Sequence, residues 1–525
     1  MALVGEPYPE PHLPFRSVRA LLDERAASQP EKTALVDLDQ GTSLTYEALH
    51  GHVNRIARFL ADRGIGPGDK VGLLSGDNLE KLVAWLGVWR AGAAICPLNV
   101  ELNADYVSGM LQMIEPKLVL WHRDLDGLAL CEGVDAEIIE MARTDPAPSE
   151  ANDEFFARIA KLPDGSPVEV DYGPDDLAAI FCTSGTTARP KLIVYHHLSY
   201  WLSGLSTLDM LGLTAEDKTL EYRSFGWNSA QILSLMPWLQ IGHTLHIAPK
   251  FSHHRFFEWI QEHGITFAAG VPTVVNMLLN EPTGITADDI PSLRLMTCST
   301  APLSPAQWRR FEEMYGVRLL QLYGMSEAGW ICGNRHDDRK MGTVGRPARY
   351  QQFEIVDADG NPCPAGTEGE VTVGGPQACH GTISPEGEFE DWSTGRFKTG
   401  DLAVMNADGY VTVTGRTKDL IVRGGINISP LEIDHVLMRH QGVHEAAAVG
   451  VPDDIYGEEV VCYVVPRKDA DVTPDQLSLY CTDHLPKPKT PKAFYFVDAL
   501  PKNDRGKIRR DDLKRIWSEQ VGATH

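Results

Sequence analysis

Residues 70–99, KVGLLSGDNLEKLVAWLGVWRAGAAICPLN, constrain the fold more than any other stretch of the chain. A short apolar run meets a polar loop, an amphipathic segment of helical period follows, then a glycine stop and a second apolar run. Two strands joined through a helix lie side by side in parallel, because only a hairpin gives the antiparallel partner directly. The stretch therefore predicts a βαβ unit, a parallel sheet and helices on its faces. Similar alternation recurs at GITFAAGVPTVVNMLL (264–279) and at LRLMTCSTAPLSPAQWRRFEEMYGVRLLQLYG (293–324). Upstream, LHGHVNRIARFLADRG places Leu49, Val53, Ile56 and Leu60 on one helical face ahead of a glycine stop.

A chain of 525 residues is too long for one core, so at least two domains are expected. After about residue 340 the texture becomes short β-rich runs broken by Asp-Gly, Asn-Pro and Pro-Ala-Gly turns, as in FEIVDADGNPCPAGTEGEVTVGG (353–375). Beyond Lys418 an α+β segment follows, with HEAAAVGVPDD and EEVVCYVVP as its strands. The expected fold class is α/β. Residues 1–417 form a large N-terminal domain of doubly covered, mainly parallel sheets with a small β element, and 418–525 a smaller C-terminal domain.

Formal net charge is -24, with sequence pI ≈ 5.2. That excludes a general binder of nucleic acid or anionic membrane, and an anionic substrate must be met by a local cluster of donors. No segment approaches the ~20 apolar residues that span a bilayer, so no membrane insertion is expected. The proline-broken N-terminus does not read as a signal peptide. The nine cysteines are scattered with no metal or redox spacing. Reduced thiols and a cytoplasmic location are the expectation.

FCTSGTTARPKLIVYHH (181–197) lies between two apolar runs. Its small hydroxyl and glycine residues, Thr183, Ser184, Gly185, Thr186 and Thr187, leave backbone N–H groups open to an anion, and Lys191 adds a charge. Lys191 follows Gly185 across Pro190, so the Walker spacing is absent. Alone, the stretch reads better as a polar hairpin turn than as a phosphate site. It has company in STAPLSP (299–305), QLYGMSEAG (321–329), FKTGDL (397–402), GRTKDLIVRGGINISPLEI (415–433) and LPKNDRGKIRRDDL (500–513). In this order and spacing, from about residue 20 to 515, the motifs resemble those of the adenylate-forming superfamily, and within it the AMP-dependent acid–CoA ligases.

The resemblance implies a two-step reaction. A carboxylate attacks the α-phosphate of ATP to give an acyl-adenylate and pyrophosphate, and a thiol, usually coenzyme A, then displaces AMP. Glu327 is implied as the Mg²⁺ ligand, with Ser326 donating to phosphate where relatives more often have threonine. Thr183–Thr187 and Lys191 would clasp the β- and γ-phosphates. Tyr323 and Gly324 would cover the adenine, and Thr300, Ala301 and Pro302 its other edge. Asp401 would accept from the ribose hydroxyls and Arg416 would reach the ribose or a phosphate. Lys507 would bridge carboxylate and phosphate oxygens in the adenylation transition state. Lys418 matches the hinge about which the C-terminal domain moves between two poses, and Gly424 and Gly425 the turn along which pantetheine threads. Read without their neighbours, these residues are a solvated loop carboxylate (Glu327), a core tyrosine (Tyr323), surface ion-pair partners (Asp401, Arg416) and a solvated basic run (Lys507).

By the same resemblance the acyl pocket draws on Phe225, Trp227, Gly270, Cys298 and Trp330. Ser224–Trp227 holds no Asp for a substrate ammonium, so an α-amino acid is not expected. The tryptophans suit an aromatic or short-to-medium acyl group, or else they are packing residues. Arg223 either holds a polar group of the substrate or pairs within the protein. Relatives commonly carry glycine where Ala188 and Leu192 stand and an aromatic–His pair near Gly226. The lost glycines stiffen the loop if their backbone angles suit any residue, and strain it if they need positive φ. Partners implied are a small carboxylic acid, ATP and CoA, together with a homodimer and a lysine acetyltransferase acting at the Pro501-to-Lys507 pattern. Two other functions stay open: an adenylating enzyme that loads a separate carrier protein, and a nucleotide-binding protein without catalysis.

Overall fold

The computed structural model describes residues 14–100, 102–122, 125, 127–141, 159–162, 168–170, 172–182, 191–301, 303–468, 470–503 and 507–522. Thr183–Thr187, Ala188 and Pro302 lie outside these described residues.

The 70–99 stretch folds as its pattern requires. The strand Lys70–Leu74, the helix Leu79–Arg90 and the strand Ala94–Leu98 follow one another, and the two strands pair in parallel. Asn78 caps the helix by accepting from Lys81 N, which satisfies one of the N–H groups that a helix start leaves unpaired. Every residue of this helix is buried. It packs against the helix Tyr46–Ala61, where Leu49, Val53, Ile56 and Leu60 are fully buried. Gly87 allows that approach, since a Cβ there would stand 2.2 Å from Ile56 Cγ2. Burying each such aliphatic side chain contributes about 1.5–3 kcal/mol.

Two large sheets result. A nine-stranded sheet is parallel through the consecutive strands Arg318–Met325, Leu295–Cys298, Phe267–Ala268, Lys218–Glu221, Thr244–Ile247 and Thr33–Asp37. An eight-stranded sheet pairs Leu118–His122, Lys70–Leu74, Ala94–Leu98 and Leu177–Cys182 in parallel. The main core lies between them and the helices, with Leu35, Leu245, Val71 and Ile95 in one apolar cluster. Each sheet carries a further cluster on its other face, around Phe256 and Trp308 for one and Leu111 and Val119 for the other. Both sheets are therefore doubly covered.

A four-stranded antiparallel sheet follows, containing Glu368–Gly374, Arg396–Met405 and Val411–Arg416. Another sheet gathers Ile421–Arg423, Ile426–Ile428, Val443–Asp453, Gly457–Pro466 and Ala493–Phe496, with its own apolar clusters on either face. Among the described residues no helix is long and apolar enough to cross a membrane.

Candidate active site

The parallel strands bring the singled-out residues to one edge. Arg223 follows the strand Lys218–Glu221, Gly270 follows Phe267–Ala268, Ser299 and Thr300 follow Leu295–Cys298, and Tyr323 lies near the end of Arg318–Met325. The carboxyl ends of parallel strands are where open α/β sheets bind ligands. Ser299 N donates to Gly270 O at 3.3 Å, and Tyr222 OH donates to Ala269 O at 2.5 Å. Thr300 is exposed and holds φ at 77°. A left-handed threonine costs of order 1–3 kcal/mol and persists where the surroundings enforce it, commonly at ligand sites. Ala301 accepts from Gln321 Nε2 at 3.5 Å.

Ser326 and Glu327 form the turn between the antiparallel strands Arg318–Met325 and Gly329–Gly333. Gly324 is required there, because a Cβ would sit 2.4 Å from Gly329 O. The turn is fixed from outside the hairpin: Tyr195 OH donates to Ser326 O at 3.0 Å, and Cys379 N donates to Glu327 O at 2.8 Å. Glu327 is half-buried. Its field helps hold the Tyr195 phenol well above its ordinary pKa, behind the larger effect of burial. Among the described residues no group of three His, Cys, Asp or Glu could hold a metal ion. Mg²⁺ is commonly held through only one or two carboxylates, with substrate phosphates and water as the other ligands, and Glu327 offers one such carboxylate.

Asp401 is buried and faces Arg416 across a strand pair. Arg416 Nε lies 2.7 Å from Asp401 Oδ1, and Tyr323 OH donates to Oδ2 at 2.6 Å. Burial first, then the Asp401 charge, pushes the Tyr323 phenol well above its ordinary pKa, so it stays a donor. Each carboxylate oxygen has two lone pairs, so Asp401 keeps acceptor capacity for a pair of hydroxyls.

Lys507 comes from near the C-terminus yet feels this cluster. Its amine is pushed down to about 8, by burial first, with Arg416 and Lys418 adding to the shift and Asp401 and Asp419 opposing it. A small hairpin presents it: Lys507 N donates to Asn503 Oδ1 at 2.9 Å, Asn503 N to Lys507 O at 2.9 Å, and Lys502 bridges Ile508. The ion pair between buried Asp434 and Arg510 anchors the chain just after it. Asn503, Asp434 and Arg510 escaped the sequence reading; Asn503 and Arg510 sit inside the quoted basic motif, while Asp434 carries no signal. Lys418 is exposed in the turn Thr417–Asp419. Lys191 is exposed immediately before the strand Leu192–His196.

Gly424 and Gly425 are exposed at the turn between Ile421–Arg423 and Ile426–Ile428. Their φ values of 56° and 81° require what a two-residue hairpin turn favours, glycine at both positions. Phe225, Trp227 and Cys298 are buried. Trp330 joins the main core and donates its indole N–H to Thr207 Oγ1 at 2.9 Å. Trp227 packs with Cys182 and Leu192. Leu192 is not among the described residues with positive φ, so side-chain bulk costs nothing in backbone strain there. Arg223 pairs with Glu221 at 2.6 Å.

The AMP-binding enzyme family model matches residues 22–381, and the AMP-binding enzyme C-terminal domain model matches 432–507. The chain belongs to the AMP-binding enzyme family. This AMP-binding enzyme is 31% identical over 514 residues to the oxalate–CoA ligase of Arabidopsis thaliana, covering 96% of this chain and 99% of that one. It is 32% identical to the sulfoacetate–CoA ligase of Cupriavidus necator, covering 94% and 97%. Its fold superposes on ATP-bound MatB from Rhodopseudomonas palustris with a TM-score of 0.85 at 29% identity, covering 96% and 99%.

Proposed function

We propose that this AMP-forming acid–thiol ligase activates a non-amino-acid carboxylic acid, aromatic or short-to-medium in its acyl part, and passes the acyl group to coenzyme A. The products are acyl-CoA, AMP and pyrophosphate. The observation that carries the reading is Lys507, whose amine feels the charges of Arg416 and Asp401, the ion pair to which Tyr323 also bonds.

In the first step Thr183–Thr187 and Lys191 grip the terminal phosphates, and Ser326 donates to phosphate. The Tyr323 ring, oriented by its bond to Asp401, lies against the adenine beside Gly324, with Thr300–Pro302 on the other edge. Asp401 accepts from the ribose hydroxyls. Lys507 holds a carboxylate oxygen against the α-phosphate, so that its cation meets the charge that develops between two mutually repelling anions. Glu327 would hold Mg²⁺, which supplies charge neutralisation at the phosphates.

Residues 1–417 act as the adenylation domain and 418–525 as the moving domain, with Lys418 as hinge. In the second pose Gly424 and Gly425 line the path of the CoA thiol. Phe225, Trp227, Gly270, Cys298 and Trp330 shape the acyl pocket. The enzyme works in the cytoplasm as a homodimer, and acetylation of Lys507 by a lysine acetyltransferase removes the charge and silences adenylation.

Exchange of labelled pyrophosphate into ATP, driven by members of a carboxylic acid panel, tests the adenylation. Thioester formation with free CoA then tests the acceptor. Exchange without any CoA product would transfer the reading to a carrier-protein thiol, and no exchange with any acid would remove it.

A further inference from the structure

We infer that the acid this enzyme activates carries a neutral hydrogen-bond acceptor on its acyl side, a hydroxyl, ether or keto oxygen, and that an acid with a second anionic group is rejected. The inference rests on the ligase reading and on the segment Tyr222–Trp227 bordering the acyl group.

Two cations flank that segment, the half-buried Arg223 and the buried Lys81, and each is neutralised by the protein itself. Glu221 closes the strand Lys218–Glu221 with its side chain fully buried. Its Oε1 accepts Arg223 Nε at 2.9 Å, Tyr222 N at 3.0 Å and Arg223 N at 2.9 Å. Its Oε2 accepts Arg223 Nη2 at 2.6 Å and Ser234 Oγ at 2.7 Å. The guanidinium is thus clamped bidentate, the geometry that fixes an arginine most rigidly. Burial works against the Arg223 charge, but Glu221 outweighs it and holds the group cationic. On the other side Lys81 lies 2.8 Å from Asp77 Oδ1, and the same oxygen accepts Phe225 N at 3.1 Å.

The outer edge of Arg223 is what remains for a ligand. Nη2 also reaches Ser229 O at 3.4 Å, whereas Nη1, among the described residues, makes a single long contact, 3.5 Å to Ser299 Oγ. Ser299 directly precedes the left-handed Thr300. The edge can therefore donate to an oxygen on the substrate. It cannot offer net charge, because Glu221 has taken it, and a second carboxylate or sulfonate would stand as an uncompensated anion among Phe225, Trp227 and two neutral pairs. A buried charge without a partner is far costlier than a satisfied neutral group. That separates this chain from relatives named for oxalate and sulfoacetate, whose acids carry a second anion.

Pyrophosphate exchange with matched acids tests this: 4-methylbenzoate, 4-hydroxybenzoate and terephthalate, and butyrate, 3-hydroxypropionate and succinate. In the set the pocket admits, the hydroxyl acid is expected to exceed the methyl acid about tenfold or more in kcat/KM. The dianion should fall at least about 100-fold below the hydroxyl acid. Glu221→Gln frees the Arg223 charge and should improve the dianion relative to the hydroxyl acid at least about tenfold, with KM for ATP unmoved. Arg223→Met should level the hydroxyl and methyl acids. If Glu221→Gln fails to fold, the Arg223→Met ratio decides. A wild-type enzyme that prefers the dianion, or variants that leave these ratios unchanged, overturns the inference and leaves the ligase reading standing. No exchange with any acid overturns both.

Discussion

Asp401→Asn perturbs the proposed nucleotide site where its geometry is best defined. The change keeps the shape of a side chain that is only 7% exposed and removes the charge shared by Tyr323 and Arg416. Hydrogen bonds to a charged group contribute about 1.5–3 kcal/mol, so losing the carboxylate from the Tyr323 hydroxyl destabilises by about that amount. The Arg416 side is worth less. That side chain is 38% exposed and rehydrates when released, so the pair contributes about 0.2–1 kcal/mol. Together the loss is about 2–4 kcal/mol. Tyr323→Phe removes one end of the strong bond alone, and the double variant should show a coupling of about 1–2 kcal/mol because both residues share a single interaction. Urea unfolding of the four proteins measures this, and exchange kinetics measure KM for ATP, which should rise about tenfold or more in Asp401→Asn if both ribose hydroxyls lose a charged acceptor. Additivity within about 0.5 kcal/mol, with KM for ATP unchanged, would refute the reasoning.

Lys507→Ala should abolish acyl-AMP formation while largely sparing thioester formation from supplied acyl-AMP; equal loss of both steps in a single-turnover assay counts against its role. The amine, lowered to about 8, gives a proton signature. A lysine depressed by folding is penalised while charged, and that penalty is fully present below about pH 8 and fades as pH rises towards the ordinary lysine range. ATP phosphates restore the charge, so ATP binding at pH 8 should take up about half a proton, measured by calorimetry in buffers of different ionisation enthalpy. Proton release, or uptake that persists in Lys507→Ala, would contradict the assignment. Lys418→Pro should leave pyrophosphate exchange intact and stop CoA-dependent turnover; preserved turnover would deny the hinge.

Periodicity carried the parallel sheets, because the 70–99 and 293–324 stretches each state strand, helix and strand in order, and local pattern decides such units. The motif series carried the candidate site because its residues sit at strand ends and turns, where the backbone leaves residue identity visible. What stayed hidden is pairing over long separations. Asp434 meets Arg510 only over the strand that holds Ala448, and Tyr195 meets Ser326 only once the two large sheets are in place. Glu221 closes the strand Lys218–Glu221, and nothing in the one-dimensional pattern says that it clamps Arg223 rather than facing water. The tryptophans show the same limit. An indole beside an apolar run serves a pocket or a core equally well in sequence, and only the Thr207 contact reveals how Trp330 is held.

The most direct test follows the oxygen atoms. With an acid labelled with ¹⁸O in its carboxylate, adenylation and thiol transfer must leave one labelled oxygen on AMP, because the carboxylate oxygen becomes the bridge to the α-phosphate. Mass spectrometry of the products should find AMP carrying a single ¹⁸O, in equal amount to acyl-CoA and pyrophosphate. Label in orthophosphate with ADP as the nucleotide product, or unlabelled AMP, would contradict an acyl-adenylate on the reaction path.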